Sequence, residues 1–356
     1  MNNNKKHLFA LLAVMFFNIV LLSGCGYDDK AEKSEKTVAG IQIVGAGATF
    51  PAPLYKKWIE EYVSVDQNVT INYDPVGSGQ GIKRFMAGGV DFGASDAAMK
   101  DEQMAQVASG AQLVPATAGS IVLAYNIPDL EGLKLSRGVY TDIFLGKIRF
   151  WNDSRIQKDN PGLKLPNLSI VTVARNDSSG TTFAFTNHLS AISSEWKNNG
   201  PGRGKKIDFP GNVMLANGNG GVATKIKHSW GSIGYVEYGY SKRAGLNMAS
   251  LENRAGKYIQ PSGESPTLTL ANTSKSMPEN LRLFITDPEG DTSYPIVTYS
   301  WLLLYKNYDD KEKLSRLKSF VSWSLTEGQK FGPDFGYAPL PSDVVDLALQ
   351  AVDSIQ

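Results

Sequence analysis

The chain has 356 residues, of which 42% are hydrophobic, so it is long enough for two domains of ordinary size with a well-packed interior. Its formal net charge of +1 includes Lys5 and Lys6, and without this amino-terminal pair 34 basic residues stand against 35 acidic ones. This balance excludes the strongly basic surface expected of a protein that binds nucleic acid through the phosphate backbone.

The first 25 residues have the pattern of a bacterial lipoprotein signal peptide. Lys5 and Lys6 form a basic start, residues 8–22 are apolar apart from one asparagine, and Leu22-Ser23-Gly24-Cys25 resembles a lipobox. As a helix, the apolar run would cover only about 22 Å of a hydrocarbon core of about 30 Å, which argues against a membrane span. We expect cleavage before Cys25 and acylation of that residue, with palmitate-type chains that anchor the protein to the extracytoplasmic side of the membrane.

Cysteine usage limits the chemistry that is open to the chain. Cys25 is the only cysteine, so no intramolecular disulfide and no thiolate metal cluster can form. The sequence contains no metal-ligand motif and no nucleotide-binding loop, and we expect neither a metal nor a cofactor. Residues 26–40 are polar and rich in charge without an apolar period, which predicts a flexible tether.

From Ile41 onward, strand-like and helix-like segments alternate. Short apolar runs bounded by small residues predict strands at 41–44, 69–73, 90–96, 120–125, 168–173, 233–236 and 294–305. Amphipathic spacing predicts helices at 51–62, 82–86, 101–109, 141–145, 311–325 and 341–352, with a further helix start near 183. This alternation favours an α/β fold whose sheets are mostly parallel and buried.

One local pattern recurs along the chain: a strand is followed by a turn of small residues and then by the start of a helix. Thr49, Ser78 and Ser179 each lie at such a turn. Open α/β sheets bind ligands at the carboxyl ends of their strands, and helix amino ends carry unpaired N–H groups that suit an anion. One such turn is weak support, because glycine-rich turns before helices are common, but the recurrence favours a binding site.

The stretch Arg175-Asn176-Asp177-Ser178-Ser179-Gly180-Thr181 is the most informative example. Arg175 offers a permanently charged, fork-shaped donor for phosphate or carboxylate, and Asp177 could hold that fork in one orientation. The Ser179 and Thr181 hydroxyls lie beside the first amides of the predicted helix. On its own, the stretch is equally compatible with a capped helix and a surface ion pair.

Four separated motifs together resemble the phosphate-binding protein of bacterial phosphate ABC importers. They are GAGATFPAP at 45–53, VDFGASDA at 90–97, RNDSSGT at 175–181 and GYVEY at 234–238. The resemblance implies a two-lobed periplasmic-binding-protein fold of type II, with mixed, mostly parallel sheets flanked by helices and a hinge of two crossing strands. It places residues 41–115 and 295–356 in lobe I and residues 116–294 in lobe II.

The resemblance also implies a function and a site. The protein would bind inorganic phosphate between the lobes and deliver it to the permease subunits of an ABC importer and their ATPase. Arg175 would pair with the anion while Asp177 steadies the guanidinium, and backbone N–H groups and hydroxyls would supply most other donors. The implied phosphate ligands are Thr49, Phe50, Ser78, Asp96, Arg175, Ser179, Gly180 and Thr181.

Asp96 supports this role through its own chemistry. A carboxylate beside a bound anion is repulsive unless the anion offers a hydrogen, which phosphate does near neutral pH and fully ionised sulfate does not. We therefore expect Asp96 to accept the proton of bound phosphate and to disfavour sulfate. The alternative for Asp96 is a helix N-cap.

Two positions depart from the family pattern. Ser178 stands where the family usually has glycine, and Gly79 stands where it often has a second serine. Both positions adjoin implied phosphate ligands, so they bear on the local geometry of the site rather than on the identity of its ligands.

An enzyme is the competing class of function, either a secreted phosphatase or a serine hydrolase that uses Ser179 or Ser78. Outside the signal peptide the chain has two histidines, His188 and His228. His188 falls on the helix after the anion turn, where packing or surface roles are more common than that of a base. No HExxH motif, GxSxG motif or metal-spaced cluster accompanies the serines, so the sequence favours a binding protein.

Overall fold

The computed structural model describes residues 40–273 and 277–356 of the chain. The predicted signal peptide, Cys25 and residues 26–39 of the predicted tether lie outside the described residues and remain predictions. Within the two described ranges, no helix has both the length and the apolar character that a membrane span requires.

Strands are numbered here in chain order. They are β1 Ile41–Gly47, β2 Val69–Asp74, β3 Phe92–Ser95, β4 Ala111–Asn126, β5 Lys134–Leu135, β6 Val171–Arg175, β7 Val213–Ala216, β8 Ser232–Glu237, β9 Asn247–Met248, β10 Ser250–Glu252, β11 Tyr258–Ile259, β12 Val297–Tyr305 and β13 Tyr337–Ala338.

Helices are numbered in the same way, and a short 3-10 helix spans Glu327–Phe331. The α-helices are α1 Ala52–Tyr62, α2 Ser78–Met86, α3 Asp101–Met104, α4 Arg137–Phe144, α5 Ser154–Asp159, α6 Gly180–Ile192, α7 Ser194–Asn198, α8 Gly218–Lys227, α9 Tyr238–Ala244, α10 Ser265–Thr273, α11 Lys311–Leu325, α12 Gly332–Phe335 and α13 Ser342–Asp353.

One large mixed sheet organises these elements. Its strand order is β2-β1-β3-β12-β4-β8-β6-β7, and β9 and β13 also pair with β4. The pairs of β1 with β2 and β3 are parallel, as are those of β6 with β7 and β8, whereas β12, β9 and β13 pair in antiparallel fashion. A small sheet contains β11, β10 and β5. The predicted α/β class is confirmed.

Strand β4 joins the two halves of the large sheet. It pairs with β12 up to Ser120 and with β8 from Ile121 onward. We call β2, β1, β3 and β12 the first half-sheet, and β8, β6 and β7 the second half-sheet. The chain returns to the first half-sheet beside β4, where the Ile121 N–H donates to the Ile296 carbonyl at 2.9 Å. The predicted lobe boundary after residue 115 falls inside β4 and stays a prediction.

β4 is much longer than the strand predicted at 120–125. Its first half contains Pro115, which has no N–H to donate to a neighbouring strand. The register against β12 shifts between Ser300 and Trp301, opposite Pro115, and this irregularity accommodates the proline inside a buried strand. A proline among small residues gave no period-2 pattern, so the sequence showed only the second half.

Two local predictions differ from the structure. The helix predicted at 101–109 ends at Met104; residues 105–109 form turns instead, and Gly110, with φ of 70°, leads into β4. The turn expected at 77–81 is shorter than predicted, because α2 already begins at Ser78 and only Gly77, with φ of 91°, remains outside it.

Large aromatic side chains fix the helices and loops on the sheet while keeping their polar tips bonded. Trp58 of α1 donates its indole N–H to the Gly328 carbonyl at 2.7 Å, and the Tyr337 hydroxyl donates to the Phe50 carbonyl at 2.6 Å. Buried aromatic residues combine a large apolar area with such directional bonds. The bond from Tyr337 fixes the backbone at the turn after β1.

Helix α2 lies directly on the backbone of the first half-sheet. A Cβ atom at Gly81 would lie 2.4 Å from the Gly47 Cα and 2.9 Å from the carbonyl oxygens of Ala46 and Ala94. These neighbours are backbone atoms, which cannot swing aside. Glycine at 81 is therefore what lets the amino end of α2 reach the end of β1.

We expect Gly81→Ala to lower the free energy of unfolding by roughly 1–3 kcal/mol, because the added methyl group overpacks a contact between backbones. Gly138→Ala is the matched control, since Gly138 is also helical and a Cβ there meets no atom within 4 Å. The control should be neutral or stabilising by up to about 1 kcal/mol. Denaturant unfolding measures both, and equal stability of the two variants would contradict this account of α2.

Candidate functional site

Polar residues from both half-sheets meet at one place. In the first half-sheet, β1 leads to Thr49, β3 leads to Asp96, and α2 begins at Ser78. In the second, β6 ends at Arg175 and α6 begins at Gly180. These are carboxyl ends of parallel strands, so the topology brings them to the ligand-binding edge of the sheet. We call the following residues the polar cluster: Thr49, Ser78, Asp96, Arg175, Ser179, Gly180 and Thr181.

The polar cluster is almost closed to solvent. The exposed fractions are 8% for Thr49, 3% for Arg175, 1% for Ser78 and Asp96, and 0% for Ser179 and Thr181. Polar groups buried to this degree normally have hydrogen-bond partners, because an unpaired one loses its water without compensation. The arrangement of donors and acceptors therefore decides what the cluster can bind.

The Asp96 carboxylate accepts hydrogen bonds from both half-sheets. The Ser300 hydroxyl of β12 donates to one carboxylate oxygen at 2.9 Å, and the Thr181 hydroxyl donates to the other at 3.4 Å. Burial raises the pKa of Asp96 to about 7, although these hydroxyls and the Arg175 charge oppose the shift. Asp96 does not cap a helix, since α3 has Lys100 at its N-cap, so the N-cap alternative is wrong.

Asn219, for which the sequence predicted no role, connects residues of the two half-sheets within the polar cluster. Its side-chain N–H groups donate to the hydroxyls of Thr49 at 3.1 Å and Thr181 at 3.2 Å. Its own carbonyl oxygen accepts from the Glu237 N–H at 3.0 Å, which fixes the amide orientation. The signal for Asn219 was present, because Asn-Gly-Asn-Gly-Gly at 217–221 repeats the design of strand, small-residue turn and helix.

Arg175 and Asp177 form a buried ion pair, as predicted for the fork of the guanidinium. Nε of Arg175 donates to Oδ1 of Asp177 at 2.7 Å, and Nη2 bonds Oδ2. Burial alone would raise the pKa of Asp177, but the bonds and charge of Arg175 hold it below the ordinary value. The Gly218 N–H also donates to Oδ1, at 3.0 Å, so Asp177 is held from two sides.

The third nitrogen of the guanidinium is the unusual atom of the site. Arg175 Nη1 is buried and has no hydrogen-bond partner among the described residues. A charged donor in this state costs free energy unless an acceptor comes within reach. The other two nitrogens are held by Asp177, so the free one has a defined orientation.

The amino end of α6 supplies backbone donors. The Ser179 N–H donates to the Lys205 carbonyl at 2.7 Å, and the Ser179 hydroxyl accepts from the Thr182 N–H at 3.1 Å. Within the described part of the chain, the N–H groups of Gly180 and Thr181 have no acceptor. Ser179 can therefore offer an anion only its hydroxyl hydrogen, whereas Gly180 and Thr181 can offer their amides.

The first half-sheet supplies a second group of donors. The N–H groups of Thr49, Phe50 and Ser78 also have no acceptor among the residues described. Ser78 accepts the Asp96 N–H at 3.2 Å through its hydroxyl oxygen, and the same hydroxyl lies near the Asp96 carboxyl, whose pKa it helps to lower. The Gly180 backbone packs on Ser78 and Asp96, because a Cβ there would lie 2.6 Å and 2.7 Å from their side-chain atoms. The structure thus brings the predicted residues together.

His188, the candidate base of the alternative enzyme function, contacts none of the serines of the polar cluster among the described residues. His188 bonds the Tyr140 hydroxyl at 2.8 Å through Nε2, and burial lowers its pKa to about 4. It is a packing residue of α6, in line with the role favoured by the sequence. The described residues contain no group of three or more His, Cys, Asp and Glu side chains arranged to hold a metal ion.

Comparison with known families and proteins adds an independent line of support. Residues 31–327 match the family model described as a PBP superfamily domain. The chain is 42% identical to the phosphate-binding protein PstS of Pasteurella multocida, over 85% of this chain and 87% of that one. It is 37% identical to the phosphate-binding protein PstS of Methanocaldococcus jannaschii, over 99% of this chain and 96% of that one.

Solved structures support the same fold. A phosphate-binding protein from Stenotrophomonas maltophilia superposes with a TM-score of 0.70 at 20% identity, covering 87% of this chain and 94% of that one. A high-affinity periplasmic phosphate-binding protein, solved with bound phosphate, superposes with a TM-score of 0.69 at 20% identity, over 86% and 92%. Similarity at this level supports the type II binding-protein fold, and the more similar sequences decide the family. The chain therefore belongs to the PstS family of phosphate-binding proteins within the PBP superfamily.

Proposed function

We propose that this protein is an extracytoplasmic receptor that binds inorganic phosphate in the polar cluster and delivers it to an ABC-type importer. The observation that carries the proposal is the buried Arg175 guanidinium, whose Nη1 lacks a partner among the described residues while Asp177 holds the rest. Such a group has lost its water without compensation until an acceptor comes within reach, and an oxyanion supplies a strong, charge-assisted one. The names of the relatives, all phosphate-binding proteins, point to the same ligand.

The donors around Arg175 suit a tetrahedral oxyanion. The amides of Thr49, Phe50 and Ser78 come from one side, and those of Gly180 and Thr181 come from the other. Oriented amides at the amino ends of helices stabilise phosphate and sulfate alike. We assign these amides, with the hydroxyls of Ser78 and Ser179, to the oxygens of bound phosphate.

Asp96 is the group that favours phosphate over sulfate. The second ionisation of inorganic phosphate lies near neutral pH, close to the raised pKa of Asp96, so one proton can lie between the two at little cost in free energy. Sulfate brings no proton, and an ionised Asp96 would face it without a hydrogen bond. The Ser300 and Thr181 hydroxyls occupy the carboxylate as donors, which keeps it an acceptor towards the ligand.

Delivery to the importer completes the proposed role. We infer that the half-sheets on either side of β4 belong to the two predicted lobes, residues 41–115 with 295–356 and residues 116–294, with phosphate bound between them. Closure about β4 and the segment before β12 would enclose phosphate, and opening would release it to permease subunits coupled to their ATPase. An acylated Cys25 and the tether at 26–40 would keep the receptor at the membrane.

The enzyme alternative has less support. A serine nucleophile requires a base within hydrogen-bond reach, and within residues 40–273 and 277–356 the hydroxyls of Ser78 and Ser179 contact no histidine. His188 is bonded to Tyr140 and has a pKa too low for a base at neutral pH. We therefore propose binding without catalysis and no metal or other cofactor.

We expect anion-free protein at pH 8 to bind phosphate and to give no sulfate response in calorimetric titration. In Asp96→Asn, phosphate affinity should fall and sulfate affinity should rise, lowering the ratio of affinities by at least about tenfold. The reason is that an amide can donate to any oxyanion oxygen, whereas an ionised carboxylate needs a ligand proton.

Asp343→Asn is the matched control, because it makes the same chemical change at an exposed position of α13. Its phosphate and sulfate titrations should match those of the wild type. A folded, anion-free protein that binds no phosphate would refute the proposed function. Hydrolysis of a phosphate monoester at Ser179 or Ser78 would favour the enzyme instead.

The titration of Asp96 should also be visible in stability. Its folded-state pKa of about 7 lies above the unfolded value of about 3.9, so its contribution is complete below about pH 4 and is lost as pH rises towards 7. In phosphate-free protein, the free energy of unfolding should fall more steeply over this range than in Asp96→Asn. Burial raises the pKa of Glu237 to about 8, so this residue also lowers the free energy of unfolding as pH rises. It is present in the wild type and in Asp96→Asn, so it does not account for a difference between their slopes. Denaturant unfolding at several pH values measures the slopes, and equal slopes would contradict the prediction.

Lipid anchoring is tested through Cys25. We expect Cys25→Ser to move the protein from the membrane fraction of the producing cells into the soluble fraction and to abolish incorporation of labelled palmitate. The reason is that the thiol is the only group at the predicted cleavage site that can be acylated as proposed. Unchanged membrane association and labelling in the variant would exclude this anchor.

A further inference from the structure

The amino end of α2 touches the anion-binding turn of the second half-sheet directly. The Gly79 N–H, in the first turn of α2, donates to the Ser178 carbonyl at 2.9 Å. This bond crosses from one half-sheet to the other and uses an amide that helix geometry leaves unpaired. Gly79 therefore gives its donor to the opposite part of the protein rather than to a ligand.

The side chains on the two sides of this contact are matched in size. A Cβ atom at Gly79 would lie 2.1 Å from the Ser178 Oγ and 2.3 Å from the Ser178 Cβ. Real Cβ atoms never approach other heavy atoms so closely, so the Ser178 side chain fills the space that a side chain at 79 would need. With serine at 178, position 79 has room only for glycine.

A neighbouring contact connects this pair to the guanidinium. A Cβ at Gly77 would lie 2.4 Å from Oδ2 of Asp177, the oxygen that bonds Arg175 Nη2. The start of α2 therefore lies close to Asp177, which orients Arg175, and to Ser178, which leads into α6. Asp177 also accepts from the Gly218 N–H, so the contact reaches α8 and Asn219 as well.

We propose that residues 77–79 and 177–178 form a latch between the half-sheets, in which glycine at 79 and serine at 178 are a matched pair that sets phosphate affinity. The inference rests on the proposed phosphate-binding function and adds two positioning residues to it. When the latch is closed, the α2 backbone holds Asp177 and thereby the orientation of Arg175. When a side chain at 79 blocks it, the donors of α6 and the hydroxyl of Ser78 no longer reach one anion together.

The test is a double-mutant cycle with phosphate as the ligand. In calorimetric titration, Gly79→Ala should bind phosphate at least about tenfold more weakly than the wild type, because overpacking opposes closure. Ser178→Gly removes a hydroxymethyl group from the contact without overpacking it, so its phosphate affinity should fall less than that of Gly79→Ala. The double variant should recover to within about threefold of Ser178→Gly, because the new methyl group enters the vacated space.

Gly138→Ala, the open helical glycine of α4, is the control for the effect of alanine in a helix and should bind phosphate as the wild type does. Two results would overturn the latch: Gly79→Ala with wild-type affinity, or a double variant as weak as Gly79→Ala alone. A wild type that binds no phosphate refutes the proposed function itself, and this outcome is distinct from both.

A second variant keeps the test valid if Gly79→Ala does not fold. Ser178→Leu enlarges the same contact from the opposite side while the α2 helix keeps its glycine. Folded Ser178→Leu should also bind phosphate at least about tenfold more weakly than the wild type. Wild-type affinity in that folded variant would overturn the proposal.

Discussion

The burial of the Arg175 charge is the constraint on which the rest of the site depends. A guanidinium removed from water is stable only if every nitrogen finds an acceptor, and Asp177 satisfies the Nε and Nη2 groups but not Nη1. Asp177 in turn accepts a hydrogen bond from the Gly218 N–H and lies close to Gly77, just before α2. The ion pair thus fixes the orientation of the Arg175 Nη1 donor. The turns that carry the other candidate donors come from both half-sheets to the same place.

The charges of the site do not explain anion binding by themselves. The positive charge of Arg175 is balanced by the negative charge of Asp177. Asp96 adds a carboxyl group whose pKa lies near 7, so the cluster has no excess of positive charge to offer a phosphate dianion. What remains are oriented dipoles, namely the free amides of Thr49, Phe50, Ser78, Gly180 and Thr181 and the nearby hydroxyls. Because these donors are fixed by strand ends and helix starts, they need no reorganisation when the anion arrives, which is the condition under which dipoles in a buried site act strongly. Binding in this site therefore depends on geometry rather than on net charge.

Much of the fold and of the candidate site could be predicted from sequence, and the failures have physical causes. The strand, turn and helix design indicated Thr49, Ser78 and Ser179 as candidates because it recurs along the chain, although one such turn alone is common. The sequence did not reveal that the Ser179 N–H is consumed by the Lys205 carbonyl, since that bond joins segments that only the fold brings together. Asn219 was missed because an Asn-Gly turn has many structural uses, and only its bonds to Thr49 and Thr181 show the role. β4 was half hidden because a proline can occupy a buried strand only at an irregularity of pairing that no local pattern reveals.

The two departures from the family pattern illustrate the same limit most clearly. In sequence they are two unrelated exchanges, one a serine for a glycine and the other a glycine for a serine, about a hundred positions apart. In the structure they face each other across the half-sheets, and the Ser178 side chain occupies the space that a Cβ at 79 would need. Because packing conserves volume rather than residue type, a pair of this kind can change together without altering the contact that it forms. The candidate donors to an anion are thus individual residues, whereas the proposed closure that brings them together depends on the pair of residues at 79 and 178.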